Sequence, residues 1–212
     1  MAARELWGRI SAAIIAFAVL WALWPPLGGA LERGASLPFA IWSLLRMFTI
    51  TTNLLVGVVF ARIALRGTHS VSPIVIGGTM LAIVLVGVVF NLLLGNLPHQ
   101  SIWYAIGDNI HHVAAPLAVP LWWLLFSRHG ALTWSAPFIW ALYPLAYSAY
   151  TVIRAQFMPQ GTGIYSRYPY FFMDADLLGW PMALANMAGI AIGFILFGML
   201  AVAVDRWLAK RM

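Results

Sequence analysis

Apolar residues in this chain gather into six long stretches, roughly 10–24, 39–61, 74–94, 105–126, 134–153 and 181–204. Between them lie connections that are polar or carry glycine and proline. An α-helix rises about 1.5 Å per residue, so about 20 apolar residues cross the hydrocarbon core of a bilayer. The pattern predicts an all-α polytopic membrane protein: a six-transmembrane-helix bundle forming a single domain over residues 1–212. The first stretch is short and follows Arg4 and Arg9, as the core of a secretory signal would. Trp21, Trp24 and the Pro25-Pro26 pair fit the interfacial end of a retained helix better. The string LVGVVF occurs at 55–60 and 85–90, a coincidence of Val/Leu/Gly-rich spans rather than a repeat.

Composition narrows the solvent to lipid. Of the 212 residues, 63% are hydrophobic and 8% charged, more apolar surface than a small domain can bury in water. With no cysteine, disulfides, thiolate catalysis and Cys-based metal sites are excluded. The net charge of +6 comes from basic residues scattered singly at span ends, which encodes membrane orientation rather than nucleic-acid binding. Six spans put both termini on one side, with Arg4, Arg9, Arg62, Arg66, Arg128, Arg206, Lys210 and Arg211. The other side holds Arg33 and Arg167, so both termini are expected to be cytoplasmic.

Polar side chains inside such spans are candidate functional groups, because hydrocarbon offers them no partner. In the second span the helical step of about 100° brings Arg46, Thr49, Thr52 and Asn53 onto one face. In the fourth, Asp108 stands three residues before His111 and four before His112, within reach of either imidazole. Pro116 has no N–H for the carbonyl of His112 and predicts a kink there. Asn91, the stripe Tyr143, Tyr147, Tyr150 and Arg154, and Asp174 with Asp176 fall at the outer level, which suggests a polar chamber open to that side. The aromatic segment with Tyr165, Tyr168, Tyr170, Phe171 and Phe172 reads as an interfacial belt, or alternatively as a lid over a lipid site.

Four blocks carry a resemblance. They are Phe48-Thr49-Ile50-Thr51-Thr52-Asn53-Leu54-Leu55, Ile110-His111-His112-Val113-Ala114-Ala115-Pro116, Trp140-Ala141-Leu142-Tyr143-Pro144-Leu145-Ala146-Tyr147 and Tyr168-Pro169-Tyr170-Phe171-Phe172-Met173-Asp174. In order and spacing, over about residues 40 to 200, they resemble small bacterial six-helix membrane proteins similar to the androgen-induced and androgen-dependent TFPI-regulating proteins. Animal members of that wider family are intramembrane threonine hydrolases of fatty-acid esters of hydroxy fatty acids. The resemblance implies Thr49 as nucleophile and His111, five residues before Pro116, as base, with His112 as the rival. Its spacing lets Asp108 orient the imidazole, and the shared helical face offers Arg46 or Asn53 to stabilise the oxyanion. Asn91, Tyr143, Tyr147, Arg154 and Asp174 would line the chamber. It further implies a lipid-like ester substrate, a bacterial cytoplasmic membrane, and neither metal nor cofactor.

Other classes fit less well. A transporter would also use buried Arg, Asp and His, but the spans show no convincing repeat. A bis-histidine haem protein lacks an obvious second ligand at the depth of His111 and His112, since His99 and His129 fall in loops and His69 on the other side. Neither Gly-x-Ser-x-Gly nor His-Glu-x-x-His occurs. A purely structural membrane protein is the remaining alternative.

Overall fold

The computed structural model describes residues 2–95, 101–161 and 166–211, and every regular element among them is helical. Four helical runs are long and apolar enough to cross a membrane: Ala2–Glu32, Phe48–Arg66, Pro73–Leu94 and Trp180–Ala209. The chain is thus an all-α protein with the character of a multi-pass membrane protein. The runs at 102–126 and 136–156 are also helical but more polar, and are not among the four.

The chain divides into two compact units, one of Met1–Leu132 with Asp205–Met212 and one of Thr133–Val204. In the first, α1 (Ala2–Trp21) is followed by α2 (Trp24–Glu32), α3 (Leu37–Leu44), α4 (Phe48–Arg66) and α5 (Pro73–Val89). A π-helical turn, Phe90–Leu94, continues α5. Next come α6 (Ile102–Asn109), a second π-helical turn (Ile110–Ala114) and α7 (Ala115–Phe126), without interruption. Helices α1, α4, α5 and α7 form a closed ring, each packed against two of the others. Its core is built from Val19, Val56, Phe60, Ile63, Ile76, Ile83, Val119 and Trp122, all fully buried. Trp122 meets Phe60 edge to face at 5.1 Å and donates its indole N–H to the carbonyl of Gly8 at 2.8 Å.

Two of the sequence expectations change. α1 ends at Trp21, close to the expected end, but Pro25 and Pro26 open a further helix: they occupy the first turn of α2, where a proline's missing N–H costs nothing. The second predicted span is not one helix, because it breaks at residues 45–47, with Met47 extended (φ −89°, ψ 126°). Arg46 therefore sits in a turn rather than on the face of Thr49 and Asn53. Neither proline nor glycine marks that break; α3 packs against α2 instead of continuing α4.

One end of the first unit is basic. Arg4 donates to the carbonyl of Leu125 at 2.8 Å, and Arg9 to that of Ala64 at 2.9 Å. Both guanidiniums thereby cap the C-terminal ends of α7 and α4, where exposed carbonyls and the helix dipole favour a cation. Gly67, at φ +97°, ends α4 in a conformation that a side chain would strain. Nearby, the fully buried carboxylate of Asp205 accepts from the N–H groups of Gly130 and Leu132 at 2.9 and 3.0 Å. It also faces Nδ1 of His129 at 3.0 Å.

The second unit holds α8 (Ala136–Gln156), a 3-10 turn (Phe171–Met173), α9 (Ala175–Leu178) and most of α10 (Trp180–Ala209). Asp174 caps α9 by accepting from the N–H groups of Asp176 and Leu177.

Candidate functional site

Thr49 lies in the first turn of α4, half-buried. Its hydroxyl is 3.2 Å from Nε2 of His112, in the π-helical turn between α6 and α7. The ring's other nitrogen, Nδ1, lies 3.0 Å from the Asp108 carboxylate and 3.0 Å from the Asp108 backbone carbonyl. Both groups accept only, so Nδ1 carries the proton, and a neutral ring then presents the Nε2 lone pair to Thr49. Thr49 Oγ1 donates along that line. Thr49 thus meets His112, the rival base, with Asp108 behind the ring.

The imidazole at Thr49 belongs to His112, whereas the sequence reading placed His111 there. His111 is buried, and its Nε2 faces the carbonyl of Val19 on α1 at 3.1 Å. The turn that carries both rings has the π register: Ala115 N–H reaches back five residues to Ile110, not four. The expectation for His111 rests on the resemblance and its count of five residues to Pro116, whereas the spacing to Asp108 leaves both rings open.

Two neighbours complete the surroundings of His112. The ring of Phe90 stacks on it at 3.6 Å between centroids and 7° between planes. Asn91 donates through Nδ2 to the carbonyl of Gly87 at 2.8 Å and to that of His112 at 3.0 Å. Sequence reading placed Asn91 in a chamber lining and missed Phe90, although Phe90 stands directly beside Asn91. Helices α5 and α7 approach closely here: a Cβ on Gly87 would lie 2.6 Å from Cβ of Pro116.

Asn53 is fully buried one turn below Thr49 and donates to the Thr49 carbonyl at 2.9 Å. Its Oδ1 has no hydrogen-bond partner among the described residues. One N–H of the Asn53 amide thereby supports the first turn of α4. Arg46 is displaced by the break before α4.

The remaining expected residues belong to the second unit. Tyr147 and Arg154 are buried, Tyr143 is half-buried, and Tyr147 lies 6.4 Å from Tyr150 between ring centroids. Asp174 accepts from Ser166 Oγ at 2.6 Å besides capping α9. Arg167 binds Asp176 through two hydrogen bonds, at 2.7 and 2.8 Å, and donates to the carbonyl of Ala155. That guanidinium holds the Asp176 carboxyl below the usual carboxylate range. Tyr168, Tyr170, Phe172 and Met173 are buried, so most of the aromatic segment is packed inward and not spread as a surface belt. Tyr165 and His99 lie outside the described residues. Among the described residues, no group of three or more His, Asp or Glu side chains is arranged to hold a metal ion.

Compared with protein-family models, curated proteins and solved structures, the chain matches none.

Proposed function

We propose that this chain is a membrane-embedded ester hydrolase that uses Thr49 as nucleophile, His112 as general base and Asp108 as the group that orients the base. One observation carries the reading: Thr49 Oγ1 lies 3.2 Å from Nε2 of an imidazole whose Nδ1 is 3.0 Å from a carboxylate. This is the nucleophile–base–orienter arrangement of acyl-transfer enzymes, recognised by geometry rather than sequence position.

In the proposed reaction Nε2 of His112 takes the Thr49 proton as Oγ1 attacks the ester carbonyl. The resulting imidazolium returns that proton to the departing alkoxide, which leaves Thr49 acylated. Water, deprotonated by the same nitrogen, then releases the acid and restores the hydroxyl. The first turn of α4 bears no side-chain cap, and its N-terminal N–H groups and dipole favour the oxyanion that develops beside Thr49. Val113, next to His112 in sequence, and Leu117, five residues after it, turn apolar side chains outward, which suits a lipid-like acyl ester. The four sequence blocks that resemble threonine hydrolases point to the same chemistry.

The finer topology belongs to this reading as well: six spans in a bacterial cytoplasmic membrane, with the ends bearing Arg4, Arg9 and Arg206 facing the cytoplasm. The deciding experiment is labelling of the detergent-solubilised protein with a fluorophosphonate probe. Labelling is expected in the native protein and lost in Thr49→Ala and His112→Ala. Undiminished labelling in folded Thr49→Ala overturns the proposal.

A further inference from the structure

The two π-helical turns lie against each other, and the contacts between them converge on one residue. Asn91, in the turn that continues α5, has a single amide nitrogen with two hydrogens. It gives them to Gly87 O on its own helix and to His112 O on the other. Pro116 follows His112 by four residues and has no N–H to return to that carbonyl. An α-helical register through His112 is thereby weakened, and the Asn91 amide supplies a donor from across the helix interface. Phe90, one residue earlier, covers the face of the same imidazole. Ring plane and backbone are therefore both held from one turn of α5.

We propose that Asn91 is a positioning residue for the His112 base: its bridge between Gly87 O and His112 O locks the π register that aims Nε2 at Thr49. This rests on the Thr49–His112 reading. Asn91 acts through the His112 backbone and does not touch the reacting hydroxyl. A slack register moves Nε2 away from Thr49 and the Nδ1 proton away from Asp108, and small misplacements of a reacting group are costly in rate.

The test uses the full chain in detergent with p-nitrophenyl butyrate, and protein labelled with 15N-histidine. Asn91→Leu, which removes both donors, is expected to lower kcat by about tenfold or more, with KM changed by less than about twofold. In the same variant the His112 ring nitrogens, distinct in the native protein as protonated Nδ1 and bare Nε2, shift towards each other as the tautomers mix. Asn91→Gln keeps both hydrogens and recovers part of the kcat and of the nitrogen separation. If Asn91→Leu does not fold, Asn91→Asp serves, since it preserves shape without an N–H to donate.

His112 ring signals unchanged from the native protein, or a loss confined to KM, overturn the proposal. Full hydrolysis by Thr49→Ala and His112→Ala would instead reject the hydrolase reading, and the ring signals of the Asn91 variants would still decide the positioning role.

Discussion

A threonine hydroxyl becomes nucleophilic only when a base within hydrogen-bond reach can accept its proton, and the base must hold the right tautomer. In the proposed site the tautomer is held twice, because the Nδ1 proton of His112 faces both the carboxylate and the backbone carbonyl of Asp108. Where a carboxylate alone fixes the tautomer, replacing it by an amide costs about 10⁴-fold in rate. Here the backbone carbonyl survives substitution. Asp108→Asn should therefore lower kcat by only about ten- to a hundredfold, with little change in KM, as steady-state hydrolysis would show. His111 predicts the opposite pattern. Its buried ring bonds to Val19 O, so His111→Leu should cost about 1–3 kcal/mol of stability while Thr49-dependent probe labelling persists. Residue types in the sequence sufficed to single out Thr49, Asp108 and the two histidines. They did not choose between His111 and His112, because the choice depends on a register that residue types alone do not reveal.

At the scale of elements, the close approach of α5 to α7 depends on a residue without a side chain. A methyl group on Gly87 would meet Pro116 at 2.6 and 2.9 Å, distances that require the helices to move apart. Gly87→Ala should destabilise the protein by about 1–3 kcal/mol, measured by thermal unfolding in detergent. Gly189 on α10 is the control: nothing lies within 4 Å of its added Cβ. Gly189→Ala should be neutral or stabilising, by about 0.5–1 kcal/mol, since alanine is the better helix former. In the second unit, Arg167 lowers the Asp176 carboxyl, so the clamp contributes above the ordinary carboxylate range. That contribution is lost as pH falls through the lowered value, and is small because both side chains meet solvent. Apolar periodicity placed the third span well, with 74–94 expected and Pro73–Leu94 found. It missed the break before α4 because residues 45–47 are as apolar or as compatible with a helix as their neighbours.

For the molecule as a whole, the first unit closes through residues distant in sequence. Asp205, with no exposed surface, gathers the N–H groups of Gly130 and Leu132 and the ring of His129. Asp205→Asn turns an amide against those donors and leaves at least one buried group unpaired. A loss of about 3 kcal/mol or more is expected in unfolding measurements. The proposed orientation has its own test, made simple by the absence of native cysteine. Ser36→Cys, on the side proposed to be outer, should react with a membrane-impermeant maleimide in intact cells. His69→Cys, on the basic side, should react only after permeabilisation, and the reverse result would invert the topology.

By itself the sequence determined that the chain is helical and built for lipid, because twenty-residue apolar runs with few charges have few other uses. It also determined which side chains stand out chemically, since a hydroxyl, an imidazole and a carboxylate are conspicuous in hydrocarbon. Tertiary structure alone decided which of them meet. The contact between Thr49 and His112 depends on a break ahead of α4 and a π-helical turn before α7, and thus on how α4, α5 and α7 pack. A helical phase is a local average, whereas a 3.2 Å contact between two helices reflects the accumulated geometry of every turn that joins them.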